Sequence, residues 1–109
     1  MLFLERDWKH LSRLKGLALE RLCRRILDEA QSLIATAEEG SCHSTYLALY
    51  RHIQERDQLV ADSFNRWSRS YALSHLVLWR QHNLITDEEF AAFSPETRAA
   101  VDAWFEGIG

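Results

Sequence analysis

Residues Ser44–His82, STYLALYRHIQERDQLVADSFNRWSRSYALSHLVLWRQH, decide the fold. They contain no proline and no glycine, the two residues that most readily end a helix. Within them Tyr46, Tyr50, Ile53, Asp57, Val60, Phe64, Trp67, Tyr71, Ser74 and Leu78 recur at steps of four and three. That spacing keeps one stripe of a helix turned toward a partner helix, and it predicts a helix over 44–82. From Tyr71 to Trp79 the side chains of Leu73, Leu76 and Val77 occupy the remaining faces, so this end must be covered on more than one side.

A partner precedes it. Leu4, Trp8, Leu11, Ala18, Leu19, Leu22, Ile26, Ala30, Leu33 and Ala37 gather on one face of a helix over 4–38. Lys15 intrudes on that stripe and Gly16 weakens the helix by about 1 kcal/mol relative to alanine, so a bend is expected there. Gly40 supplies the usual stop. With the reversal near residue 41, positions adding to about 82 face each other. Asp57 then stands opposite Arg25, and an unpaired seam carboxylate is costly, so the two are expected as a buried ion pair. Lys15 falls beside Trp67, where a cation over an indole is worth about 0.5–2 kcal/mol.

A cover follows. Thr86-Asp-Glu-Glu89 is a capping box opening a helix over 87–93. Ser94-Pro95 then restarts the chain as N-cap and first helical residue of a helix over 95–106. The sequence therefore predicts an all-α chain: a long antiparallel two-helix hairpin capped by two short C-terminal helices. A 35-residue rod is about 52 Å long, against a diameter of roughly 34 Å for a compact chain of this length. Two helices cannot cover so wide an aromatic stripe. Dimerisation into a four-helix bundle is the expected remedy, with Tyr46, Tyr50, Ile53, Val60, Phe64 and Trp67 as the self-association seam; the alternative is a monomeric four- or five-helix bundle with a break near Gly16 or Asp57.

Composition limits the function classes. The 109 residues are 47% hydrophobic and 27% charged, which suits one globular domain. Cys23 and Cys42 make neither a disulfide framework nor a C-x-x-C pair. Charge follows Met1-Leu-Phe-Leu4 at once, no apolar run approaches a membrane span, and a cytoplasmic protein away from membranes is expected. Net charge is −3, yet residues 1–25 carry seven basic against three acidic residues, while 26–109 carry six against thirteen. Arg6, His10, Arg13, Arg21 and Arg24 line the back of the first helix. This basic face suits an acidic partner, and mutual neutralisation of the two halves is the plainer reading. Nucleic acid is disfavoured because the aromatics face inward.

Chemistry finds little support. The serines lack a glycine-framed elbow, no phosphate loop occurs, and Asp7-x-x-His10 and the His75–His82 pair fall short of a bundle metal site. No cofactor, metal or catalytic residue is expected. Arg69-Ser-Tyr-Ala-Leu-Ser-His75 resembles the R-x4–6-H motif of HEPN-type RNases over seven residues. The resemblance implies a small helical bundle in which Arg69 and His75 of two protomers meet across a dimer interface. On one continuous helix, however, the two side chains stand about 120° apart. Three readings emerge: a non-enzymatic, self-associating interaction or adaptor module, an RNA-associated protein using the basic face or that motif, and a small-molecule sensor with a pocket among Trp8, Trp67, Tyr71, Trp79 and Trp104. The first needs the fewest assumptions.

Overall fold

The computed structural model describes residues 3–108, and only the backbone of Ile108. Met1 and Leu2, which entered the reading of the N-terminus, lie outside the described residues. Helix α1 spans Glu5–Ala35, α2 Cys42–Phe64, α3 Ala72–Gln81, α4 Asp87–Ala91 and α5 Pro95–Ile108, with a 3-10 turn at Arg69–Tyr71. No strand occurs among the described residues.

Helices α1 and α2 form the expected antiparallel hairpin. Gly40 turns it at φ +93°, a backbone angle that a side chain would strain. Glu29 of α1 pairs with Arg56 at 2.9 Å and stands 3.9 Å from His52 of α2, which brackets the expected register. Lys15 lies 4.4 Å from the Trp67 ring centroid, again as the register requires. Helix α1 runs unbroken through Gly16.

The second helix differs from its expected extent. It ends at Phe64, and the chain turns through Asn65–Ser68 before α3 begins. No helix breaker causes this. Arg66 takes a left-handed backbone, φ 55°, which turns Trp67 into an aromatic cluster. The Trp67 centroid lies 5.3 Å from Trp8, 5.8 Å from Trp79 and 5.3 Å from His75. The Trp79 indole donates to the Ser63 carbonyl at 3.0 Å, one of the acceptors that a helix end leaves free. Tertiary packing of three indoles thus outweighs the continuity of the heptad pattern. Helix α3 ends in a Schellman pair, Leu84 N–H to Trp79 carbonyl and Asn83 N–H to Arg80 carbonyl, with Asn83 at φ 56°.

The two C-terminal helices start where they were expected, α4 ending at Ala91 rather than 93 and α5 running to Ile108 rather than 106. Thr86 and Glu89 complete the capping box of α4. Ser94 accepts from the Thr97 N–H at 3.4 Å at the start of α5. Helices α3, α4 and α5 gather around the first two-thirds of α1 and the end of α2, where Leu11, Ala18, Leu22, Leu76, Trp79, Phe93 and Val101 are buried. Beyond this body the hairpin continues as a two-helix arm. Between residues 23 and 59, Ala30 is the one buried residue. The shape follows: the radius of gyration is 17.0 Å and the extents are 55 × 30 × 25 Å, against about 13 Å for a compact chain of this length.

Candidate functional site

The basic back of α1 serves the fold. Arg21 grips the Glu89 carboxylate through two nitrogens at 2.6 and 3.1 Å and donates to the Leu84 carbonyl at 3.0 Å. His10 is hydrogen-bonded at 2.8 Å to the Glu89 carbonyl and sets its edge against Phe93. Arg6 reaches the Ala92 carbonyl at 3.4 Å. These cations dock the segment carrying α4, so the expected partner face is in large part an internal joint. Arg13 and Arg24 remain exposed, the first on the Lys9 carbonyl and the second 3.9 Å from Asp28.

The Arg25–Asp57 buried pair does not form. Both residues are exposed, and Arg25 donates to the carbonyls of His82 and Asn83 at 2.6 and 3.3 Å, capping the end of α3. The two stand at matching heights on the hairpin, but their side chains leave opposite flanks. Glu29 and Arg56 supply the charged contact between the helices instead.

Arg69 and His75 serve separate ends. Arg69 binds the Phe3 carbonyl at 2.7 Å and Glu5 at 2.6 Å, tying the 3-10 turn to the start of α1. His75 is buried against Trp67. Asp7, read beside His10 as a ligand spacing, is fully buried and accepts from the Ser94 N–H, the Ser94 hydroxyl and the Thr97 hydroxyl at 2.9, 2.6 and 2.7 Å. Burial pushes its carboxyl upward. Those hydrogen bonds, with Arg6 nearby, reverse the effect and hold it below the ordinary value of 3.8. Among the described residues no three of His, Cys, Asp and Glu converge as a metal-holding group.

Of the large apolar side chains left exposed, Leu4, Leu17, Tyr71, Trp104 and Phe105 are spread over the body, and five others lie on the arm. Tyr46 is 62% exposed, Tyr50 54%, Ile53 43%, Leu27 54% and Ile34 56%. Helical geometry places them together. On α2, Thr45, Leu49, His52, Arg56 and Leu59 are half-buried toward α1, and the tyrosines and Ile53 lie roughly 110° round from that line. On α1, Leu27 and Ile34 lie about the same angle from the line through Ile26, Glu29 and Leu33, in the same rotational sense. In an antiparallel pair, equal rotation in the same sense brings both sets to one side. The register sets Leu27 beside Ile53, and Ile34 beside Tyr46 and Tyr50.

The expected seam therefore divides. Tyr46, Tyr50 and Ile53 form an outward face, while Phe64 is buried and Val60 and Trp67 pack against the core. Leu27 and Ile34 complete that face, and the sequence reading did not single them out. Their signal was that both are large, apolar and off the core stripe of α1. Comparison with protein-family models, with curated proteins and with solved structures finds no match.

Proposed function

We propose that this protein is a non-catalytic helical interaction module that self-associates through the arm, two hairpins completing a four-helix bundle. The observation that carries the reading is the arm itself. Thirteen residues of α1 and most of α2 extend past the core with Ala30 as their one buried residue, while five large apolar side chains share one open face. An isolated two-helix arm draws its stability from burying an apolar face, and this arm has buried little of its own.

The surface suits a second copy. Its five large side chains expose on the order of 500 Å² together, near the upper end for a monomer. That is short of the roughly 800 Å² per partner of a standard interface, and flanking residues of both helices would supply the rest. The centre of the face carries no formal charge: Ala30 lies between Leu27 and Ile34, and Asp57 stands at its edge. A self-complementary apolar patch is what a two-fold interface needs. The engaged arginines Arg6, Arg21 and Arg25 leave no continuous phosphate track on α1, so nothing favours the RNA-associated reading. A soluble compartment such as the cytoplasm fits the reading, and no described helix is long and apolar enough to cross a membrane.

Light scattering on the eluting protein tests the proposal. The expected mass at micromolar concentration is twice the 12.7 kDa of one chain, and Tyr50→Glu, at an exposed position, is expected to return it to one chain with helicity unchanged. A wild-type monomer at 100 μM, or a dimer indifferent to Tyr50→Glu, overturns it.

A further inference from the structure

Away from the arm, the body carries two adjoining hollows that no side chain fills. The larger, about 600 Å³, is a groove between α3 and α5 walled by Leu73, Val77, Leu78, Ala103 and Trp104. Its origin is local: α5 presents Ala100 and Ala103 where a larger residue would close against α3, and Trp104 stands half-exposed at the edge. The smaller, about 440 Å³, lies at the break between α2 and α3 and is lined by Asp62, Asn65, Arg66, Tyr71, Ser74 and His75 among others. Ser74 lines both hollows. One is apolar along about 10 Å of α3, from Ser74 to Gln81, and the other is polar.

We propose that the two together form one site for a monomeric amphiphile, an alkyl tail lying in the α3–α5 groove and a carboxylate head seated beside Arg66. Three observations support that ligand. The groove falls in the volume range of small-molecule sites and has their predominantly apolar walls. Arg66 makes no ion pair or side-chain hydrogen bond among the described residues, and Asp62, the one carboxylate on the rim, is held by the Gln58 amide at 2.9 Å. Finally, His75 is 3% exposed, its Nε2 rests 3.5 Å from the Arg66 carbonyl, and its Nδ1 has no hydrogen-bond partner. Leaving a buried polar atom unpaired is unfavourable; in the tautomer that carries its proton on Nδ1, His75 has a donor for a carboxylate head in this hollow and gives up only the long Nε2 contact.

The aromatic pocket expected from sequence is thereby redrawn. Trp8, Trp67 and Trp79 pack on one another within the body, whereas Trp104 borders the apolar groove and Tyr71 the polar hollow.

Calorimetric titration below the micelle concentration tests the site with three probes: decanoate, decanol and butyrate. Decanoate is expected to bind with a stoichiometry of one per chain, at least tenfold more tightly than decanol, and butyrate to give no heat. Ala103→Trp, a substitution at an exposed helical position that fills the groove, is expected to abolish binding of both ten-carbon probes. Arg66→Asn, chosen because asparagine tolerates the left-handed backbone, is expected to weaken decanoate about tenfold and leave decanol unchanged. Tyr50→Glu on the arm is expected to bind decanoate as the wild type does. Undiminished decanoate binding by Ala103→Trp, equal affinity for the acid and the alcohol, or binding that disappears with Tyr50→Glu overturns the proposal. So does an Ala103→Trp protein whose only defect is loss of self-association, because the groove would then belong to a second copy.

Discussion

Asp7 shows how much a single side chain can decide. Its carboxylate lies in α1 yet accepts three hydrogen bonds from the start of α5, ninety positions away at the farthest. Removing it leaves buried donors without an acceptor, so Asp7→Ala is expected to cost about 3 kcal/mol in urea unfolding. Because its carboxyl lies below the ordinary value in the fold, the unfolded chain binds the proton more readily. The stability it contributes is therefore complete above the unfolded value near 3.8 and declines as pH falls through that value toward the folded one. Glu89 adds to this trend: the Arg21 hydrogen bonds, opposed by burial and helped by Thr86, hold it low as well. The urea midpoint is expected to fall between pH 5 and 3 in the wild type and to fall less in Asp7→Asn. None of this was legible beforehand. Spacing placed Asp7 next to His10, and only the fold brings Ser94 and Thr97 to it. Lys15 on Trp67, by contrast, followed from register alone.

At the scale of elements, amphipathic periodicity and caps were good guides. The middle of the α1 stripe, the capping box at Thr86 and the Ser94-Pro95 start form as their residue chemistry dictates, whereas Leu4 is exposed and Ala37 lies past the end of α1 at Ala35. The break after Phe64 was missed because it carries no glycine or proline. Its weaker mark was present in Asn65, Ser68 and Ser70, which compete for backbone hydrogen bonds and favour helix ends. The charge asymmetry was legible too, and part of it is met internally, where Arg21 of the basic helix binds Glu89 of the acidic C-terminal segment. The Arg21–Glu89 joint, with its bond to the Leu84 carbonyl, holds α4 to α1. Arg21→Ala is therefore expected to lower hydrogen-exchange protection across residues 84–93 by about 1–2 kcal/mol while leaving α1 protected. Equal loss of protection throughout the chain would show that α4 is not held separately.

The molecule as a whole is a body with a handle. Sequence arithmetic foresaw the length, since two helices of this size exceed the diameter of a compact chain, and the observed long axis is 55 Å. It did not foresee where the cover would run out. The seam was read as uniform, but its end nearest the body, Phe64 and Trp67, is satisfied within one chain, and its far end, Tyr46 to Ile53, is not. A one-dimensional pattern cannot say which part of a stripe its own chain will reach. The exposed far end, joined by Leu27 and Ile34, is the ground for assigning a second copy to the arm. Hydrogen exchange measured at nanomolar and at 100 μM protein tests this most directly. Amides of residues 27–34 and 46–53 should be poorly protected at the low concentration and gain at least tenfold at the high one, with residues 72–81 unchanged. Equal protection of the arm at both concentrations would contradict the account.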